Sequence, residues 1–150
     1  MATLYSDQMT DQRQTAPNKY VSALDTTARV RCAYFKWTAD AAQNDVVELV
    51  KLPVGARILR GRVDFTDFGT AITLSIGDET TAAKYLSAAD IATAAGQADF
   101  ANTVALGMGS IMTAATTPKY PGYVTVQATI AGGDPASGTL EGYVMYAVVS

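Results

Sequence analysis

The carboxylates beside predicted turns are the residues of this sequence whose types and spacing could do chemistry. Asp64 and Asp67 flank one turn, and Asp78 and Glu79 flank another. Paired acids of this kind hydrolyse glycosidic bonds or bind Ca²⁺ in other proteins. Neither pair has the spacing of an EF-hand or an aromatic sugar platform beside it. We therefore interpret all four as solvated turn residues.

Other catalytic groups are scarce. The sequence contains no histidine, which removes the commonest general base, the Ser–His and Cys–His pairs and the commonest metal ligand. Cys32 is the single cysteine, and we expect it to be buried and inert, on the same strand face as Val30 and Tyr34. The glycine-rich run 107–110 lacks the Gly-Lys-Ser/Thr ending of a phosphate loop. We predict a non-enzyme with no cofactor and no metal site.

The charge of the chain argues against nucleic acid as its main partner. The formal net charge is −3 and the isoelectric point is about 4.7, whereas phosphate binding needs clustered basic charge. Arg57, Arg60 and Arg62 form the one dense basic stretch, but Asp64 and Asp67 follow them. We interpret these arginines as a solvated strand face.

The composition fits one domain that presents part of its surface to a partner. The chain has 150 residues, enough for a single core without disulfides. Charged residues make up 17% of the chain and hydrophobic residues 49%, and the charged share is below the roughly 25% of an average domain. With so few charges to keep it soluble, we expect part of the surface to be covered in the working state.

Most of the chain has the period-two pattern of strands. Apolar side chains alternate with polar ones over 72–76 and again over 124–130, which predicts half-buried strands. We expect Leu59, Val63 and Phe65 to share one face of their strand, with Arg60, Arg62 and Asp64 on the other. We expect Trp37 to lie in the core. The predicted strands cover residues 28–37, 46–52, 56–66, 72–76, 102–106, 124–130 and 140–149.

One short helix interrupts the strand pattern. Ser87 and Asp90 resemble a capping box and Gly96 is placed to end a helix, so we expect a helix at about 88–95. Many short strands with turn signals at short spacing are typical of sandwiches and jelly rolls. The predicted fold is mainly β, a β-sandwich or jelly-roll-like domain with one short helix and an extended N-terminal arm.

The first part of the chain differs from the rest. Residues 1–27 are polar and show no helix or strand period, which is consistent with a frayed terminus or with an extended arm that orders on a neighbouring subunit. We predict an arm over residues 1–27 and a single β-sandwich domain over residues 28–150. No secretory signal or membrane-length apolar run is seen, so we expect a soluble protein made in the cytoplasm, with no membrane partner.

The last strand and the tyrosines indicate where partners bind. Residues 140–149 are apolar on both strand faces, and a strand of that kind is covered on both faces. Tyrosine is common at protein interfaces, although it is also an ordinary strand residue. The predicted interface comprises Tyr5, Tyr20, Tyr120, Tyr123, Tyr143, Met145 and Tyr146.

The middle of the chain resembles small structural proteins of tailed bacteriophages. The resemblance rests mainly on residues 46–89 and covers about half the chain. Its motifs are Leu-Pro-Val-Gly-Ala-Arg-Ile-Leu at 52–59, the strand 70–77, Ala-Lys-Tyr-Leu-Ser-Ala-Ala at 83–89, Gly-Tyr-Val-Thr-Val at 122–126 and Gly-Tyr-Val at 142–144.

This resemblance implies a virion protein of the capsid decoration (cement) type, which stabilises a phage head by binding between capsid subunits. It further implies the major capsid protein or other virion proteins as partners, and a homo-oligomer, for which a trimer is favoured. A head–tail connector or tail component is the alternative within the same class. A jelly-roll module that binds carbohydrate or a receptor is an alternative from another class, and a metal-dependent enzyme is a third.

Overall fold

A computed structural model of the chain describes residues 29–39, 46–69, 71–92, 94–133 and 137–148. The predicted arm, residues 1–27, lies outside the described residues. Within them the chain forms eight strands and one 3-10 turn at Val104–Leu106. The strands are β1 (Arg29–Thr38), β2 (Val46–Pro53), β3 (Arg57–Phe65), β4 (Thr73–Asp78), β5 (Leu86–Asp90), β6 (Gly96–Phe100), β7 (Tyr123–Ala131) and β8 (Thr139–Val148).

The strands form two four-stranded antiparallel sheets, in the orders β1-β8-β3-β6 and β2-β7-β4-β5. The first strand pairs with the last, the second with the seventh, the third with the sixth and the fourth with the fifth. Such pairing arises when a chain doubled back on itself is rolled into two layers, which is a jelly roll. The predicted class, a mainly β sandwich of jelly-roll type, is confirmed.

The core lies between the two sheets and is made of their alternating apolar residues. Leu74 and Ile76 on β4 and Val126 on β7 are buried, as the period-two pattern predicted. Trp37 is half-buried and stacks on Phe68 with ring centroids 6.1 Å apart, which agrees with the predicted core role. Because the core takes up the inner face of each sheet, the outer face of each remains for solvent or for another protein.

Three local predictions were wrong. The described residues of 88–95 form no helix: β5 ends at Asp90, and β6 begins at Gly96. The strand expected at 102–106 is a 3-10 turn preceded by a capping Thr103. Leu59 does not continue the alternation, since the register between β3 and β8 shifts between Ile58 and Arg60. This bulge buries Ile58 and leaves Leu59 half-buried.

Backbone hydrogen bonds bring the turn after β2 next to two distant loops at one end of the sandwich. Val54 N–H donates to the Gly122 carbonyl at 3.0 Å, and Gly55 N–H donates to the Met112 carbonyl at 2.9 Å. The side chain of Val54 is 43% exposed there. This end therefore gathers residues that are far apart in sequence, and it includes the cluster described next.

Candidate interaction surfaces

The predicted interface residues that the structure describes lie in separate places in the fold. Tyr120 and Tyr123 lie together at the loop end of the second sheet, on its outer side. Tyr143 and Met145 lie on the outer face of the first sheet. Tyr146 is half-buried on the inner face of β8 and packs against the core. The remaining two predicted residues are Tyr5 and Tyr20, which fall outside the described residues.

The first surface is a tyrosine–lysine cluster, formed by Glu48, Lys51, Lys119, Tyr120 and Tyr123. Strands β2 and β7 position it, because their antiparallel register places Lys51 opposite Thr125 and Pro53 opposite Tyr123. The Lys51 ammonium lies 4.9 Å from the ring centroid of Tyr120 and 4.8 Å from that of Tyr123. Both distances are within the range of cation–π attraction.

Glu48 holds one of these rings in place. The Tyr120 hydroxyl donates to Glu48 Oε2 at 2.7 Å, and Lys119 Nζ donates to Glu48 Oε1 at 2.6 Å. The hydrogen bonds from Lys119 and from Tyr120 lower the pKa of Glu48, because they stabilise its charged form. Glu48 is therefore an ionised anchor for both side chains at neutral pH.

Glu79 fixes the loop that carries Lys119. Its Oε1 accepts from the Thr125 N–H at 3.1 Å and from the Thr125 hydroxyl at 2.8 Å, and its Oε2 accepts from the Lys119 N–H at 3.3 Å. Burial opposes the ionisation of Glu79, but these hydrogen bonds outweigh it and lower its pKa. Thr125 is 1% exposed, so the Thr125 end of this contact is buried.

A cavity of about 260 Å³ opens beside the cluster. It is lined by Glu48, Leu49, Val50 and Lys51 of β2, and by Tyr120 and Thr125. The sequence patterns indicated the two tyrosines but missed Glu48, Lys51 and Lys119. Only the pairing of β2 with β7, which are separated by about half the chain, shows that these residues meet.

The second surface is an outer tyrosine face, formed by Val30, Cys32, Tyr34, Tyr143 and Met145 on β1 and β8. Tyr34 lies opposite Tyr143, and Cys32 lies opposite Met145. Val30 and Tyr34 are 59% and 62% exposed. The expected burial of Cys32 is wrong, since the thiol is exposed on this face. The alternation was correct, but the side assigned to the core was not, because Phe35 is the buried residue of β1.

Charged pairs border the outer tyrosine face on β3 and β6. Arg60 Nη2 pairs with Asp99 Oδ2 at 2.6 Å, and Arg62 Nε pairs with Asp64 Oδ1 at 2.9 Å. Arg60 and Asp64 are exposed, as predicted for a solvated strand face, but Arg57 is half-buried and donates to the Gly109 carbonyl at 2.8 Å. The Tyr34 hydroxyl donates to Glu141, and this hydrogen bond raises the pKa of Tyr34.

The turn carboxylates have structural roles. Asp67 is exposed and accepts from the Gly69 N–H at 2.9 Å. Asp78 is 8% exposed, so its predicted solvation is wrong. It accepts from the N–H groups of Thr80 and Thr81 and pairs with Lys84 at 3.4 Å.

Among the described residues, no three acidic or cysteine side chains are grouped to hold a metal ion, and no helix could span a membrane.

The chain is similar to known proteins in its structure, but the comparisons of its sequence found no match. No model of a protein family and no curated protein sequence matches the chain. A chain of the cyanophage Pam1 capsid asymmetric unit is similar, with a TM-score of 0.69 and 23% identity over 99% of this chain and 100% of that one.

Two other solved structures share the fold. A chain of the capsid of Ralstonia phage GP4 has a TM-score of 0.60 and 19% identity, over 81% of this chain and 86% of that one. The infectious bursal disease virus VP2 subviral particle has a TM-score of 0.52 and 10% identity, over 90% of this chain and 36% of that one. At these identities the similarity establishes a shared jelly-roll fold.

Proposed function

We propose that the chain is a non-enzymatic structural protein of a tailed-phage virion, and that it is a capsid decoration (cement) protein that stabilises the head by binding between capsid subunits. The observation that carries this proposal is the full-length match with the cyanophage capsid chain, which covers 99% of one chain and 100% of the other. That chain belongs to a capsid asymmetric unit, and a component of such a unit is repeated over the whole lattice.

The surfaces of the molecule support a binding role. Both outer sheet faces carry exposed aromatic or apolar side chains, with Tyr34 62% and Tyr123 41% exposed. Aromatic residues are enriched at protein interfaces because they offer large apolar area with a polar tip. The partners in this proposal are the major capsid protein and other virion proteins, the location is the virion, and the chain associates with itself, as a trimer in the favoured case.

The N-terminal segment supplies a second contact in this proposal. Residues 1–27 precede β1, which is an edge strand of the first sheet. This strand contributes the exposed residues of the outer tyrosine face. An arm that leaves the domain at this edge can reach a neighbouring subunit, since an extended chain spans ~3.3 Å per residue. Tyr5 and Tyr20 would then contribute to the interface together with the tyrosines of the domain.

Copy number tests this function. Quantitative mass spectrometry of purified particles, scaled to the major shell protein, is expected to give a number of copies comparable to that protein. A number that matches one small ring would instead assign the chain to the head–tail connector or the tail. Absence from particles would overturn the virion role and favour the carbohydrate- or receptor-binding module, for which a glycan array is the direct measurement.

Truncation tests the arm separately. A chain that begins at Ala28 retains every described strand, so it is expected to fold and to bind shells more weakly than the full chain. Binding of equal strength by both chains would contradict the role of the arm and leave the domain surfaces as the contacts.

A further inference from the structure

The ammonium group of Lys51 is positioned by the fold but has no carboxylate partner in the described part of the chain. Several other cations of the described residues do have one; these pairs are Arg60–Asp99, Arg62–Asp64, Lys84–Asp78 and Lys119–Glu48. Lys51 instead lies against the faces of Tyr120 and Tyr123. Ring faces attract a cation without neutralising its charge.

The two rings also limit the positions that the Lys51 ammonium can occupy. Tyr120 is held by Glu48, and Tyr123 lies at the start of β7, so the ammonium contacts one ring that a hydrogen bond anchors and one that a strand positions. Lys51 as a whole is exposed, so the ammonium is accessible to a partner. A lysine restrained in this way loses less side-chain entropy on binding than a free one, so it is prepared for a charged partner.

We propose that the Lys51 ammonium, framed by Tyr120 and Tyr123, is a binding point for a carboxylate side chain of the capsid partner. This inference rests on the proposed function and names the chemistry of one of its contacts. The exposed rings of Tyr120 and Tyr123 give Lys51 an apolar rim, which suits the stem of an aspartate or glutamate. The cavity of about 260 Å³ next to it provides room for such a side chain.

The surrounding charges favour a carboxylate over a phosphate. Glu48 and Glu79 belong to the same network, and Lys119 is already paired with Glu48. A phosphate dianion bound at Lys51 would be repelled by these two carboxylates and attracted by only one cation that has no carboxylate partner. Nucleic acid backbones need clustered basic charge, which this site does not offer, whereas a single carboxylate matches a single ammonium.

The first test compares Lys51→Met with Lys36→Met on shells prepared without this protein. Each substitution removes one exposed lysine charge, and Lys36 lies on the outer face of the other sheet. We expect Lys51→Met to weaken shell binding about tenfold or more, the size of a lost charge-assisted contact. It should also flatten the salt dependence with little change in melting temperature, and the loss of binding should clearly exceed that for Lys36→Met, which removes the same charge from the other sheet.

The second test identifies the partner group. A carbodiimide joins amines directly to carboxylates with no spacer, so treatment of decorated shells is expected to link Lys51 to an aspartate or glutamate of another protein, as identified by mass spectrometry. Links from Lys36 but none from Lys51 would overturn the inference. Release of the protein when nuclease removes accessible nucleic acid would also overturn it, by assigning the anion to phosphate.

The outcomes separate this inference from the function on which it rests. Failure of the original chain to bind shells at all would remove the proposed function. Binding by the original chain with equal affinity for Lys51→Met would remove the inference alone. A fall in the melting temperature of Lys51→Met that accounts for its weaker binding would show that Lys51 has a purely structural role, and would overturn the inference as well.

Discussion

The ring of Phe100 on β6 lies directly over Gly61 on β3 and fills the space that a side chain at Gly61 would occupy. Both residues are buried, and the same ring contacts Phe35 on β1 with centroids 6.4 Å apart. Through this cross-strand pair of a glycine and an aromatic residue, β6 packs closely against β3 within the first sheet. The glycine is thus required by packing and not by its backbone conformation.

Gly61→Ala should therefore destabilise the protein. The added methyl group would overlap the Phe100 ring, and overpacking of a core typically costs about 1–3 kcal/mol. Urea unfolding should show a lower midpoint with an unchanged slope. In the double variant Gly61→Ala with Phe100→Leu, the free energy of unfolding should fall by less than the sum of the falls in the two single variants, because the smaller side chain leaves room for the methyl group. Strict additivity would contradict the contact.

Tyr85→Phe should be nearly neutral at pH 7. The Tyr85 side chain is fully buried, and its hydroxyl contacts the Met112 sulfur at 3.8 Å, which is a weak acceptor. Loss of such a bond should change the free energy of unfolding by less than about 1 kcal/mol. A loss of several kcal/mol in urea unfolding would show that the hydroxyl has a stronger partner.

The same hydroxyl makes the protein sensitive to alkali. Burial, followed by the charge of Asp78, raises the pKa of Tyr85 far above its ordinary value. The unfolded chain therefore loses this proton first, so stability is present below about pH 10 and falls as the pH rises further. Tyr85→Phe should show a smaller loss of stability above that pH. Identical alkaline curves for the two proteins would contradict the prediction.

Glu48→Gln should reduce the sensitivity of the fold to acid. Hydrogen bonds from Lys119 and Tyr120 lower the pKa of Glu48, so the unfolded chain takes up the proton first. The stabilisation is complete above the ordinary glutamate pKa of about 4.3 and is lost as the pH falls through the lower folded value. Because the pair is largely exposed, the effect should be at most about 1 kcal/mol. Melting temperatures between neutral and acid pH should fall less steeply for the variant; parallel curves would contradict this.

Cys32 should react readily with a maleimide in the folded protein. The thiol is exposed on the outer tyrosine face, so its labelling rate should be close to that of the chain unfolded in urea. The same measurement on particles reports on assembly: protection of Cys32 in particles would place a partner on this face. Slow labelling of the isolated folded protein would contradict the exposure of the thiol.

Alternation of apolar residues was sufficient to predict most of the strands. In β4 and β7 apolar residues alternate with polar or small ones, so the period alone indicated where these strands lie and pointed to a β-sandwich or jelly roll. The absence of histidine likewise restricts the chemistry that this chain can perform. Alternation is local, however, and it says which residues share a face without saying which face is inside.

Only the tertiary structure decided the features that depend on distant partners. Cys32 is exposed because Phe35, and not the opposite side of β1, meets the core. Residues 88–95 do not form the expected helix, because β4 offers Leu86–Asp90 an open edge for pairing, and paired backbone groups outweigh a local capping signal. Lys51 meets Tyr120 and Tyr123 through the register of β2 and β7. Long-range strand pairing has no local signature, so the sequence determined the type of fold, and the packing of its strands determined which side chains meet at its surfaces.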